Sequence, residues 1–235
     1  MKKIIIIPTY NERLNIEALI KKIFDLAIED LHVLVVDDNS PDGTGELVES
    51  RKAQYPHLDI IHREKKEGLG RAYVAGFKKA LSDGADLIFE MDADFSHSPK
   101  YIPEFLAAIQ ESDLVLGSRY CRGGGVENWN FTRRMVSRFG NIYARTMLSV
   151  PIRDLTGGFK CYKRKVLEAI NLNTLESVGY NFQIETTYKA YKAGFVIKEI
   201  PIIFTERREG KSKFQIKIML ESFLKVLALR FRKHK

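Results

Sequence analysis

An α/β fold is expected from this sequence: a mostly parallel sheet flanked by helices, with a basic amphipathic helix at the C-terminus. Three observations predict it. Apolar runs of strand length alternate with longer segments of helical periodicity through the first half. Two runs, Ile4 to Ile7 and Val33 to Val36, are continuously aliphatic, as in strands covered on both faces. Polar clusters close three of the runs, at Pro8 to Glu12, Asp37 to Thr44 and Asp92 to His97, where a parallel sheet holds its ligands.

Taken in order, Ile4 to Ile7 is a strand stopped by Pro8, and Asn11 or Asn15 caps the first helix. In that helix Ile16, Leu19, Ile20, Ile23, Phe24 and Ala27 recur at helical spacing. Val33 to Val36 is a second strand, ending in the turn-rich stretch Asp37 to Thr44. A helix over Gly45 to Gln54, a strand over Leu58 to Ile61 and a helix over Gly70 to Leu81 lead to a strand at Leu87. Pro99 to Ile109 is a helix with proline at its start, and Leu114 to Gly117 is a strand running into Ser118 and Arg119. Beyond it, Gly123 to Gly125 reads as a flexible loop and Phe131 to Leu148 as a helix carrying Arg133, Arg134, Arg138 and Arg145. Leu155 to Phe159 reads as a tight loop, Asn181 to Ala193 as a helix and Val196 to Phe204 as one strand. Arg207 to Lys213 is a basic loop, and Phe214 to Phe231 an amphipathic helix. That helix suits either a membrane interface or packing against the domain. The predicted division is a catalytic domain over residues 1–213 and the helix over 214–235.

The 235 residues fit one large domain, and 45% apolar with 29% charged is ordinary for a globular protein. The net charge of +8 is uneven: Glu206 to Lys235 holds ten Lys and Arg against three Asp and Glu, a balance of +7. The body is therefore near neutral, and the basic end points to an anionic partner. Cys121 and Cys161 have no metal-ligand spacing and read as free thiols of a reducing compartment. No apolar run reaches the ~18 residues of a membrane span, and the N-terminal isoleucines are too few for a signal peptide.

The chemistry centres on Leu87-Ile88-Phe89-Glu90-Met91-Asp92-Ala93-Asp94. Residues i and i+2 of a strand face the same way, so Asp92 and Asp94 aim at one point. Like charges so close repel unless a cation lies between them, and hard divalent ions take such oxygens together with substrate phosphates. An isolated Asp-x-Asp reads first as a solvated acidic turn; it is the three polar clusters converging on one sheet edge that favour a metal-diphosphate site.

Together these clusters, with Gly117-Ser118-Arg119-Tyr120, Leu155-Thr156-Gly157-Gly158-Phe159-Lys160 and Gly210-Lys211-Ser212-Lys213, resemble those of the polyprenol- or dolichol-phosphate mannosyltransferases. These are inverting nucleotide-sugar glycosyltransferases of the Rossmann-like GT-A fold. The resemblance runs to about residue 213. It implies transfer of mannose from GDP-mannose to a polyprenyl (dolichyl) phosphate, with a divalent cation, Mn²⁺ or Mg²⁺, held by Asp92 and Asp94. By position it places Pro8, Tyr10, Glu12, Val36, Asp38, Asp92, Ala93, Asp94, Arg119, Arg207 and Lys213 at the nucleotide sugar, with Asp92, Asp94 and Arg119 catalytic. Arg133 and Ser137 fall at the acceptor phosphate. Ser96 stands where some relatives carry a stronger ligand. Many microbial relatives continue into transmembrane helices; here the resemblance implies a peripheral protein of the cytoplasmic membrane face, held by its basic helix or a small membrane-anchoring subunit, with no nucleic-acid partner.

The reaction is chemically self-consistent. A phosphate monoester with a second pKa of about 6 is already ionised at neutral pH, so it attacks without a general base, and the five histidines show no triad-like placement. The departing diphosphate needs cations, which the metal, Arg207 and Lys213 would supply. Tyr10 reads either as a packing aromatic or as a stacking platform for the base, and Arg133 either as a solvated charge or as a phosphate fork. Three alternatives stay open: transfer of glucose or another sugar to the same acceptor, a dinucleotide-binding oxidoreductase, and a nucleic-acid module using the basic end. The oxidoreductase reading leans on Gly68-Leu69-Gly70, but Tyr73 stands where the third glycine belongs.

Overall fold

The structure, a computed structural model, describes residues 1–175, 180–205 and 216–231. Its first half alternates as expected: β1 (Lys3–Thr9), α1 (Arg13–Phe24), β2 (Leu31–Asp37), α2 (Thr44–Arg51), β3 (Leu58–His62), α3 (Leu69–Ser82), β4 (Leu87–Glu90), α4 (Ile102–Ala108) and β5 (Leu114–Ser118). Next come β6 (Gly125–Glu127), α5 (Phe131–Leu148), β7 (Lys160–Lys163), α6 (Arg164–Ala169), α7 (Tyr180–Lys192), β8 (Ile197–Pro201), β9 (Ile203–Thr205) and α8 (Ile216–Phe231). The main sheet has seven strands in the order β3-β2-β1-β4-β7-β5-β8, and β6 pairs with β9 in a separate ribbon.

Alternation along the buried strands feeds two cores. Ile4 and Ile6 of β1 join Leu34 and Val36 of β2 on one face, packed by α3, α5, α7 and α8. Ile5 and Ile7 join Val33 and Val35 on the other, packed by α1, α2 and α4. Each such side chain removed from water stabilises the fold by about 1.5–3 kcal/mol, which is why runs that are apolar at every position lie at the centre of the sheet.

The chain departs from the sequence expectation in four places. β7, which was not expected, inserts antiparallel between β4 and β5. The expected strand Val196 to Phe204 divides at Ile202, whose backbone N–H donates to the Ser118 carbonyl at 3.1 Å, so β8 serves the main sheet and β9 the ribbon. Gly125 of the expected flexible loop opens β6, and the expected helix over Pro99 to Ile109 is α4 flanked by single 3₁₀ turns.

At the C-terminal end, Val226 and Leu229 of α8 join the core, Tyr143 of α5 meets Phe223 edge-to-face at 4.3 Å, and Arg230 donates to Ser149 Oγ at 2.9 Å. The helix packs back on the domain through one face.

Candidate active site at the carboxyl edge of the sheet

The loops after β1 and β2 are stitched to each other. Asp37 accepts from Thr9 Oγ1 at 2.8 Å and from Ser40 Oγ at 2.6 Å, while Ser40 Oγ accepts the Asn11 backbone N–H at 3.0 Å. The Glu12 N–H donates to Thr44 Oγ1 at 3.1 Å. Pro8, Tyr10, Glu12 and Asp38 are thereby gathered at one edge. Val36 and Ala93 are buried in the two cores, so either can meet a ligand only through its backbone. Three site loops each carry a non-glycine residue in the left-handed region: Asn11 at φ 61°, Asn39 at 57° and Phe95 at 62°. Such strain concentrates at functional sites, and in a residue as bulky as phenylalanine it is rare.

Sequence reasoning missed the segment that backs these loops. Arg63 pairs with the buried Asp38 and, through its other nitrogen, bonds Glu67 at 2.7 Å. Burial pushes the Asp38 carboxyl up and Arg63 opposes that shift. Lys66 Nζ sits 3.5 Å from the centre of the Tyr10 ring.

Asp92 and Asp94 lie just past β4. The Asp92 N–H donates to His97 Nδ1 at 3.1 Å, and Tyr73 Oη donates to Asp92 Oδ1 at 3.3 Å. Burial pushes the His97 pKa down, against the pull of Asp92 and Asp94, so the ring is neutral and its Nδ1 is able to accept. Burial, reinforced by the charges of Asp92 and Glu90, pushes the Tyr73 phenol well up and keeps it a donor. The Ser96 N–H donates to Asp94 Oδ1 at 3.1 Å. Opposite them is Gly158, where a Cβ would stand 3.7 Å from Asp92 Oδ2 and 3.3 Å from His97 Cε1.

These residues fit a hard divalent cation. The donors are carboxylate oxygens, and the buried Ser96 hydroxyl beside Asp94 has no hydrogen-bond partner among the described residues. No cluster of three His, Cys, Asp or Glu occurs among those residues, so two carboxylates would be completed by diphosphate oxygens and water, as Mg²⁺-type ions accept.

Beneath the pair, β7 registers Lys160 against Glu90. Both are fully buried. Tyr162 Oη donates to Glu90 Oε1 at 2.8 Å, and Lys160 Nζ donates to the Gln183 carbonyl at 2.8 Å and Thr186 Oγ1 at 3.0 Å. Burial lowers the Lys160 pKa to about 8, with Glu90 pulling the other way.

The β5 end carries the arginine side of the site. Arg119 closes a fork on the buried Asp154, with Nε–Oδ2 and Nη2–Oδ1 both 2.7 Å. Thr156 Oγ1 accepts from Arg119 Nη2 at 2.7 Å and from Asn141 Nδ2 of α5 at 2.9 Å. Tyr120 Oη donates to Ser137 Oγ at 2.7 Å, and the Arg133 guanidinium lies 4.2 Å from the centre of the Trp129 ring. Arg119, Arg133 and Ser137 are thus joined through α5. Arg207 and Lys213 lie outside the described residues, as do Gly210, Lys211 and Ser212. The partners that sequence reasoning missed (Arg63, Tyr73 and Asp154) are remote in sequence from the residues they hold.

The chain is similar to several known proteins. Residues 4–170 match the glycosyl transferase family 2 profile. An undecaprenyl-phosphate mannosyltransferase of Micrococcus luteus is 43% identical over 226 residues, covering 96% of this chain and 93% of that protein. A polyprenol monophosphomannose synthase of Mycolicibacterium smegmatis is 44% identical over 227 residues, 96% of this chain and 85% of the other. Among solved structures, a mannosyltransferase from Pyrobaculum calidifontis in complex with GDP-Man and Mn²⁺ superposes with a TM-score of 0.70 at 19% identity, over 100% of this chain and 65% of that one. The Mycobacterium tuberculosis glucosyl-3-phosphoglycerate synthase, in complex with Mn²⁺, UDP and glucosyl-3-phosphoglycerate, gives 0.67 at 17% identity over 97% and 78%. The last two establish the fold.

Proposed function

The chain belongs to glycosyl transferase family 2 and is a glycosyltransferase; from that premise we propose that it transfers mannose from GDP-mannose to a polyprenyl phosphate, with inversion, at the cytoplasmic face of a membrane. The oxidoreductase reading falls with the family membership. The observation that carries the proposal is that the Asp92–Asp94 pair, just past β4, and the Arg119–Arg133 side, at the end of β5, lie at one edge of the sheet. The histidine beside the pair, His97, is 2% exposed and spends its accepting nitrogen on the Asp92 N–H. An acceptor that is already ionised, such as a phosphate monoester, is what that site can use.

In this reading Tyr10 and Asp38, backed by Lys66 and Arg63, hold the nucleoside, with Pro8, Glu12 and the backbones of Val36 and Ala93 completing the wall. Asp92 and Asp94 hold Mn²⁺ or Mg²⁺, which neutralises charge on the leaving diphosphate when bound. Arg119 is the rigid side of the sugar site. Arg133 and Ser137 receive the acceptor phosphate, and Arg207 and Lys213 are assigned to the diphosphate. Residues 1–213 are assigned to the catalytic domain and 214–235 to the C-terminal segment that contains α8.

The outer face of α5 supports a membrane setting. Phe131, Met135, Phe139 and Ile142, spaced as one helical stripe, are 77, 51, 62 and 54% exposed, and Arg134, Arg138 and Arg145 run beside them. Among the described residues no helix is long and apolar enough to cross a membrane.

The test is incubation with Mn²⁺ and polyprenyl phosphate, offering labelled GDP-mannose or UDP-glucose. Lipid-linked label is expected from GDP-mannose alone, and label from UDP-glucose alone would overturn the mannose assignment. Loss of an outer-shell partner already reduces metal-dependent activity about 10- to 100-fold, so Asp94→Asn, which removes a ligand, is expected to reduce transfer by more than that. Wild-type turnover in Asp94→Asn would overturn the metal assignment.

A further inference from the structure

Tyr73, which breaks the glycine fingerprint at the head of α3, is fully buried, and its ring is fixed on two sides. It stacks on Phe182 of α7 at 5.8 Å and 5°, and on Phe77 at 6.1 Å and 26°. Its hydroxyl is the only polar atom of that ring, and it lies 3.3 Å from Asp92 Oδ1. Asp92 needs such a partner. β4 ends at Glu90, two residues earlier, so the sheet ladder does not orient the Asp92 side chain, which is 28% exposed.

We propose that Tyr73 is a positioning residue for the metal ligand Asp92. By occupying Oδ1 from the core side, it turns Oδ2 toward the edge formed by His97 and Gly158. A carboxylate fixed this way offers one oxygen to a cation in a single orientation, and the ordering that binding would otherwise require is already done. The Tyr73 hydroxyl touches neither sugar nor diphosphate in this role. The inference rests on the reading of Asp92 as a ligand of the divalent cation, and its test separates the two.

Mn²⁺ is titrated into the intact protein in the presence of GDP, and the free-ion electron paramagnetic resonance signal is monitored. Tyr73→Phe retains both ring stacks, so its circular dichroism and unfolding midpoint are expected to match the wild type. Its Mn²⁺ affinity is expected to fall about 10-fold or more, as for other outer-shell partners of metal ligands. At saturating Mn²⁺ the donor KM returns to the wild-type value. Leu167→Ala, a buried lesion in the same core but outside the ring stack, is expected to lower the unfolding midpoint and leave Mn²⁺ affinity unchanged. Wild-type Mn²⁺ affinity in Tyr73→Phe, beside lost binding in Asp92→Asn, would overturn the Tyr73 assignment alone, as would an equal loss in Leu167→Ala. Unchanged affinity in Asp92→Asn would overturn the metal reading and this inference together.

Discussion

Asp154 accepts three hydrogen bonds from Arg119: two from the guanidinium at 2.7 Å and one from the backbone N–H at 2.9 Å. Arg119 is 7% exposed and Asp154 1%. Much of the positive charge of Arg119 is therefore matched inside the protein. Arg119 contributes less long-range attraction than a lone cation would, and more rigidity. Its bond to Thr156, shared with Asn141, ties the β5 end to α5. The Asp154 N–H and the Arg153 N–H in turn donate to Glu199, each at 2.9 Å.

Removing Asp154 strands a buried guanidinium. Loss of one partner of such a pair costs about 3–5 kcal/mol, so Asp154→Asn is expected to lower stability by that order in urea unfolding. Burial alone would raise the Asp154 pKa; Arg119 more than offsets this and holds it below the ordinary carboxylate value. The contribution is thus fully present above the unfolded value of about 3.9 and is lost as pH falls through the lower folded value. Wild-type stability should drop on acidification below pH ~4, with a shallower drop in Asp154→Asn. Parallel curves for the two would exclude the pair as the source.

Gly76, midway along α3, permits the helix to approach β1: an added Cβ would stand 2.5 Å from Ile6 Cγ2. Helix propensity favours Gly76→Ala by about 1 kcal/mol, whereas overpacking a core costs about 1–3 kcal/mol. Ile6 is fully buried on a central strand and cannot swing away, so the second effect should win. Gly76→Ala is expected to be destabilised, and pairing it with Ile6→Ala should show a coupling above about 0.5 kcal/mol. A more stable single variant would mean that the helix shifts freely.

Locality decided which elements were legible in the sequence. β1 and β2 were readable because both faces of each strand are apolar, and the site loops because polar clusters succeed strand ends. β7 was not: Lys160-Cys161-Tyr162-Lys163 reads as polar, and it is buried only because Glu90 and Thr186 bond Lys160 and Tyr162 from other elements. The partners that fix the site obey the same limit. Tyr73 is 19 residues from Asp92, Arg63 is 25 from Asp38, and Asp154 is 35 from Arg119. Crossovers of the fold set those pairings, and no local spacing encodes them.

The apolar stripe on the outer face of α5 is matched on α8 by Leu224, Leu227 and Phe231, which are 70, 37 and 75% exposed, while the opposite face of α8 enters the core. Water is a poor solvent for so many large apolar side chains on adjoining helices, and a bilayer interface is a better one. Withdrawing a phenylalanine side chain from water is worth about 1.5–3 kcal/mol, and each arginine near an anionic surface about 1 kcal/mol. Phe139→Ser is therefore expected to weaken binding to phosphatidylglycerol-containing vesicles roughly 10-fold or more, and Arg138→Gln about 5-fold at low salt, with the second effect fading as salt is raised. Both side chains are exposed, so unfolding midpoints should stay near the wild type. Replacing Leu224 and Phe231, the most exposed apolar residues of α8, with Ser in the same protein is expected to weaken binding further. Vesicle flotation that is equal for all these variants and the wild type would leave these faces without a lipid role, and the site would then have to draw its acceptor from solution.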